Sequence, residues 1–373
     1  SYVQNNRRTF QPSISYLKTI GDHHINVLAL YEWSRYQNSK LSAGARNFPL
    51  EGLYDLDYGS QDPEDFVLPG GSSAVTARAG YVGRINYGYK EKYLIELAAR
   101  SDASVNFAKE NRWDIFPAIG LGWLMSKESF IQDHIKSIDY LKFKTSLGQT
   151  GNDKINGSFP YLQTYRLSTD PVHVFGGAPV SGLYTSAPPN LDIRWETSTT
   201  FNVGFESEWF NGKLGFDAEW FYRVTEDILA SPAGLYPAST GGFFPSTINY
   251  GIMENKGVDL QIRHKNNVGE LFYGITGNFN WAKNKIIRRD ENTSLPYWQR
   301  TVGRSYGEKV GFVVDGIYQT WEETKDAVSP SGGVVAPGFF KYRDLNNDGK
   351  ITRSDDRTFI GRSNIPEMMF GLN

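Results

Sequence analysis

Ala79-Gly80-Tyr81-Val82-Gly83-Arg84-Ile85-Asn86-Tyr87-Gly88-Tyr89 runs through Lys90-Glu91-Lys92 into Tyr93-Leu94-Ile95-Glu96-Leu97-Ala98-Ala99-Arg100. In both arms the odd positions are apolar or aromatic: Tyr81, Ile85, Tyr87, Tyr89, Tyr93, Ile95, Leu97 and Ala99. The charges, Arg84, Glu96 and Arg100, fall at even positions. Successive side chains of a strand point to opposite faces, so this pattern predicts a hairpin with one greasy and one polar face. Arms of this length, with tyrosines crowded at the turn, suit lipid on one side and water on the other. An Arg or Lys at the bilayer midplane costs roughly 2–4 kcal/mol, so the apolar face belongs outside and the charged face inside a wet or plugged lumen. A sandwich with one solvated face also alternates, but its strands need not be so long nor end in tyrosine.

The same signature recurs along the chain. Phe10 to Tyr16 and Ile25 to Trp33 form one pair around Gly21-Asp22. Phe116 to Met125 and Tyr140 to Gly148 form another, with a short helix expected between Ser126 and Asp139. Phe201 to Trp209 meets Leu214 to Arg223 through Asn211-Gly212, a strong two-residue hairpin signal. Val258 to Arg263 meets Leu271 to Trp281 through Asn266 to Gly269. The count is about eleven strands, the last one cut short. Short turns alternate with long loops, expected at Ser34 to Thr76, Asp102 to Ile115, Gln149 to Glu196, Thr225 to Asn255 and Ala282 to Pro366. Outer-membrane barrels have this asymmetry, with short periplasmic turns and long extracellular loops.

Composition agrees. Aromatics make up 14% of the 373 residues. No apolar run approaches the roughly 18 residues of a membrane helix. Net charge is −2, which gives no reason to expect a nucleic-acid partner. Cysteine is absent, which removes disulfides and thiolate metal sites. The sequence opens at Ser1 without a leader and stops at Asn373 as a strand pattern starts, so a fragment of a longer chain is expected.

The sharpest local motif lies in the last long loop, residues 282–366. Asp344-Leu345-Asn346-Asn347-Asp348-Gly349-Lys350-Ile351-Thr352-Arg353-Ser354-Asp355 follows the order of an EF-hand calcium loop. Asp344, Asn346 and Asp348 would give side-chain oxygens, Lys350 its carbonyl, Thr352 a hydroxyl or a bound water, and Asp355 the closing carboxylate. Gly349 would allow the sharp turn and Ile351 would pack inward. Two features depart from the EF-hand: the last ligand is Asp rather than Glu, and Phe339 to Arg343 reads as a strand rather than a helix. A structural calcium ion in loop 344–355 is the expectation, against a plain polar turn.

No enzyme is expected. His23, His24, His134, His173 and His264 form no zinc set, and the chain has neither a phosphate-binding glycine loop nor a nucleophile elbow. Tyr184, Trp195, Phe243, Phe244, Tyr297, Trp298 and Trp321 in the long loops could stack on a ligand. They could equally form small cores that hold those loops together.

The chain resembles the C-terminal barrel portion of SusC/RagA-type TonB-dependent outer-membrane transporters. The likeness is carried by Gly83 to Tyr87 with Lys92 to Leu94, Arg100 to Ser104, Asn111 to Trp113 with Phe116 to Ala118, and Leu141 to Asn152. Arg194 to Ser198, Glu254 to Asp259, the Asp344 to Asp355 loop, and Asn364 with Pro366 complete the set. The resemblance implies an all-β transmembrane antiparallel barrel of about 22 strands around a plug, of which residues 1–373 are part. It also implies a TonB contact through an N-terminal region, a SusD-like lipoprotein partner, and import of an oligosaccharide or peptide across a Gram-negative outer membrane. A passive porin or adhesion barrel and a secreted all-β carbohydrate-binding protein are the alternatives. An upstream plug and detergent dependence would separate the three.

Overall fold

The computed structural model describes all residues except 53, 66, 156–158, 176–177, 186, 233, 237, 326 and 329–332. A single antiparallel sheet dominates it. Tyr2–Phe10 and Ser13–Ile20 pair with the same neighbour in one register, Phe10 opposite Trp33 and Ser13 opposite Leu30. They are two halves of one strand, β1, interrupted at Gln11-Pro12. Counting them together turns the 12-stranded sheet into eleven strands (12 less 1). The others are β2 (His23–Gly44), β3 (Val67–Tyr89), β4 (Tyr93–Ser104), β5 (Trp113–Leu124), β6 (Ile138–Asn152), β7 (Glu196–Trp209), β8 (Leu214–Ala230), β9 (Ile248–Val268), β10 (Leu271–Arg288) and β11 (Met368–Leu372). Each pairs with its sequence neighbour, an up-and-down wall. Its ends, β1 and β11, are not paired to each other, so the wall is an open arc.

Cross-strand partners share a face, so the register shows which side each residue takes. One row reads Tyr87, Ile95, Leu121, Thr145, Val203, Trp220, Val258, Trp281, Met368. All but Thr145 are apolar or aromatic. The adjacent row on the other face starts Asn86, Glu96, Gly120, Ser146, Asn202. Ile95 is 38% exposed and Trp220 39%, so neither packs in an interior. The alternation in the sequence is an outer wall and an inner wall.

Another row runs Tyr89, Tyr93, Trp123, Phe143, Phe205, Ala218, Leu260, Phe279. On β3 it lies at the short-turn edge of the apolar band. On β10 it lies 279 − 273 = 6 residues above Tyr273, which marks that edge there. Six residues of about 3.4 Å over seven steps of about 4.8 Å imply strands tilted by about 30°. Tyr81 and Tyr89 bracket the band on β3, about 27 Å apart along the strand, or about 23 Å along the membrane normal. Tyr31 and Trp113 flank Tyr81 with ring centroids at 5.0 and 5.7 Å, and Tyr93 stacks beside Tyr89 at 6.4 Å. These are the two aromatic girdles of a membrane barrel, whose apolar band is about 25 Å tall.

The strands outrun the sequence expectation at the long-loop end. Ser34 to Gly44 and Val67 to Thr76, expected as loop, continue β2 and β3 in register up to Ser42 opposite Gly70, and the register shifts before Gly44 opposite Val67. β8, β9 and β10 likewise extend to Ala230, from Ile248, and to Arg288. Beyond the bilayer both faces meet water, so alternation fades while the backbone ladder continues. Turns lie where expected at Lys90-Glu91 and around Asn211-Gly212, all with positive φ. The third is tighter than expected: β9 reaches Val268, leaving only Gly269-Glu270 before Leu271. The Ser126 to Asp139 segment holds a short helix, Ser129–Gln132.

Candidate functional site

An arc of wall has no central core, so its functional surface consists of its inner face, its rim and its loops. On the inner face, Lys144 bridges Glu206 at 3.0 Å and Glu219 at 2.8 Å, and Arg263 meets Asp217 at 3.1 Å. Gln261 donates to Asn278 at 2.8 Å, Asn202 to Ser146 at 3.1 Å and Arg223 to Thr200 at 3.0 Å. Asn280 donates to Asp259. Among the described residues, Asp217 Oδ1 and Asn255 Oδ1 are buried without a hydrogen-bond partner. The wall is a dense field of amides, hydroxyls and paired charges, suited to a polar solute or a polar protein surface.

The long-loop rim is fixed by one small core of Phe107, Phe116, Ile193 and Trp195. The β5–β6 ladder begins at Ala118 opposite Gly148, and Phe116 lies above it on β5. Trp195 Nε1 donates to the carbonyl of Arg112 at 3.1 Å. Arg78 clamps Asp153, whose carbonyl accepts from Asn106 at 3.0 Å. Arg194 grips Asp227 with two bonds of 2.9 and 2.8 Å, and Asn249 ties both backbones together. Trp195 is therefore a packing residue. Phe243 and Trp321 are exposed, Phe244 stacks on Tyr236 at 5.0 Å, and the Tyr184 side chain lies outside the described residues.

At the short-turn end Glu128 is a hub. It accepts from Tyr93 OH at 2.7 Å, Lys92 Nζ at 3.0 Å and Trp123 Nε1 at 3.1 Å. These three donors bring its carboxyl down to about 2, with the Tyr93 hydroxyl foremost.

The long loop 282–366 folds on itself through two small sheets, Glu308–Phe312 with Arg357–Ser363 and Val314–Ile317 with Phe340–Tyr342. The strand expected over Phe339 to Arg343 is there, over Phe340–Tyr342. The 344–355 loop is wrapped around its own carboxylates. Asp344 accepts from the N–H of Asn347 and of Gly349, both at 2.7 Å, and Asp348 from that of Lys350 at 2.8 Å. Burial pushes the Asp344 carboxyl up, but the surrounding N–H groups outweigh it and hold it below the usual range. Asn346 reaches Asp348 at 3.1 Å, and Ile351 is buried. Asp355 turns outward to Thr352 Oγ1 at 3.0 Å and Ser354 Oγ at 2.8 Å. The carboxylate that closes the loop is Asp356, fully buried, accepting from Leu345 N at 2.8 Å and Thr352 N at 2.6 Å. Only the doubled Asp355-Asp356 hinted at it in the sequence. Trp298 braces the loop from outside, donating to Ser354 O at 3.0 Å with Arg357 over its ring, while Tyr297 bonds Thr358.

The histidines serve locally. His23 bonds Tyr87 OH at 2.7 Å, His24 Thr19 at 3.0 Å, His264 Tyr273 OH at 3.1 Å and His134 the Phe130 carbonyl at 3.1 Å. The His173 side chain lies outside the described residues. Among the described residues no three of His, Cys, Asp and Glu gather as a metal-sized group.

Comparison with known proteins places this wall. Residues 1–356 match the family described as TonB dependent receptor-like, beta-barrel. TonB-dependent receptor P3 of Formosa agariphila is 29% identical over 374 residues, covering 96% of this chain and 36% of that protein. TonB-dependent receptor SusC of Bacteroides thetaiotaomicron is 26% identical over 377 residues, covering 96% and 35%. The chain thus spans little more than a third of the length of these relatives. Among solved structures, the RagAB peptide importer in its open-open state aligns at TM-score 0.81 and 24% identity, covering 99% of this chain and 39% of that one. The family is one of receptors in the Gram-negative outer membrane, not of enzymes.

Proposed function

The chain belongs to the TonB-dependent receptor family as a stretch of its β-barrel, and on that premise we propose that it forms part of an energy-coupled importer of a large polar nutrient. The observation that carries this is the two-faced wall, apolar along the Tyr87 to Met368 row and crowded with amides and charges on the other face. In this reading the remainder of the polypeptide completes the barrel, plugs it and contacts TonB, and a SusD-like surface lipoprotein covers the extracellular loops. The nutrient is an oligosaccharide or a peptide. One structural neighbour, RagAB, is a peptide importer, which makes the second option worth testing here.

The test is growth of a strain lacking the full-length gene on defined glycans or peptides as sole nutrient, with complementation in the presence and absence of TonB. Loss of uptake that requires TonB supports the importer. Uptake that persists without TonB points to a passive pore.

We also propose a structural calcium ion in the 344–355 loop, bound by Asp344, Asn346, Asp348, the Lys350 carbonyl, Thr352 and Asp355, the last turning in from its contacts with the Thr352 and Ser354 hydroxyls. Support comes from the ligand order and from a backbone already bent into a calcium-type turn, with Asn347 at φ +58° and Gly349 at φ +77°. Calcium should slow proteolysis within this loop, and Asp344→Asn with Asp348→Asn should abolish the protection. Equal cleavage with calcium and with chelator would overturn the site.

A further inference from the structure

The outer face does not stay apolar to the end of the strands. Past Trp281, β10 turns Lys283 and Lys285 to the same side, since they follow it at two-residue steps. On β9, Lys256 and Glu254 follow Val258 in the same way. Lys256 and Lys283 are direct cross-strand partners, and both are exposed. Like charges placed directly opposite destabilise a sheet. Glu254 stands directly opposite Lys285 and relieves that lysine, but not the Lys256–Lys283 pair. Glu254 accepts from Tyr222 OH at 3.0 Å, Glu367 is 3.9 Å from Lys283, and Glu226 stands on β8 opposite Thr197. Among the described residues neither Lys256 nor Lys285 forms an ion pair of the kind that engages Lys283. β7, on the far side of β8, carries Thr199 and Thr197 at the corresponding end of this face.

Their height identifies what these lysines meet. Trp281 marks the long-loop edge of the apolar band on β10, as Tyr273 marks the other. Lys283 and Lys285 lie about 7 and 14 Å further along the strand, about 6 and 12 Å along the normal at a tilt near 30°. The polar headgroup layer begins at the edge of the hydrocarbon and is several ångströms deep. We propose that Lys256 and Lys283, which unlike Lys285 lie at headgroup height, form a docking site on the outer wall for the phosphate of an anionic glycolipid of the outer leaflet. A phosphate between Lys256 and Lys283 converts their repulsion into shared attraction, and Trp281 and Trp220 beneath them give the acyl chains an aromatic ledge. The proposal rests on the outer-membrane placement of this wall and goes beyond the import reading.

The experiment uses the full-length receptor purified from outer membranes, titrated with monophosphoryl lipid A or its dephosphorylated form and read by native mass spectrometry. The wild type and a loop control, Lys109→Gln, should retain the phosphorylated lipid about tenfold better than the dephosphorylated one. Lys256→Gln with Lys283→Gln should lose that difference, while Lys285→Gln, at a position opposite Glu254 and above the headgroups, should keep it. A wild type that does not distinguish the two lipids overturns the site even if the double variant fails to assemble. So does a double variant that assembles and still distinguishes them. The readout is independent of transport, so a receptor that imports nothing but keeps the difference would sink the import reading and leave the lipid site standing.

Discussion

Phe116 occupies the space above Gly151: a Cβ built on that glycine would come within 2.0 Å of the ring. The ring enters the wall where the β5–β6 ladder stops and completes the core that includes Trp195 and Ile193. Gly151→Ala should therefore displace Phe116 and weaken the rim by about 1–3 kcal/mol through overpacking. The check is the unfolding temperature of the full-length receptor in detergent. Gly83→Ala, where nothing lies within 4 Å of the added carbon, should leave it unchanged.

The two faces of the β3–β4 hairpin should respond in opposite ways. Leu97→Arg puts a charge against hydrocarbon at a cost of roughly 2–4 kcal/mol, and folded receptor in the outer membrane should fall. Arg84→Leu, on the inner face, should assemble normally. Heat-modifiable migration of membrane fractions distinguishes the outcomes, and equal assembly of both variants would contradict the assignment of faces.

Glu128 sets an acid limit at the short-turn end. Its carboxyl lies below the ordinary 4.5, at about 2, so the stabilisation it gives is complete above pH 4.5 and is lost as pH falls toward 2. Melting followed from pH 6 to pH 2.5 should show the wild type losing more than Glu128→Gln. At pH 6 the variant should already be the weaker of the two, since the Lys92 pairing is gone.

Asp356 and Asp355 are adjacent but should behave differently. Asp356→Ala leaves the N–H groups of Leu345 and Thr352 without their acceptor, worth about 1–3 kcal/mol each when buried. Limited proteolysis should then open the loop in calcium-free buffer. Asp355→Ala, which removes only exposed hydroxyl contacts, should resist cleavage as the wild type does under those conditions.

The membrane-crossing segments were legible in the sequence because lipid imposes a strict period of two. Tyr81 to Arg100 and Phe201 to Tyr222 declare their faces residue by residue, and Lys90-Glu91 and Asn211-Gly212 declare their turns. Ser34 to Gly44 was not legible as strand. It stands clear of lipid, water meets both sides, and polar residues suit either face while the ladder holds. The Asp344 motif was readable from side-chain order, but its buried clamp was not. Asp356 is distinguished from Asp355 only by which carboxylate turns under the loop toward Leu345, and that is decided by packing rather than spacing. Phe116 over Gly151 likewise needs three dimensions, since neither residue breaks a local pattern.

Pro12 has one further consequence. Its carbonyl accepts from Tyr31 N at 3.1 Å, on the side of β2. In an extended strand a residue's nitrogen and oxygen point the same way, so the hydrogen that proline lacks is missing from that same inner seam. The opposite margin of β1, where Gln11 and Ser13 turn their backbone groups, has every donor in place from Tyr2 to Ile20. Whichever strand zips the cylinder shut there finds an unbroken template.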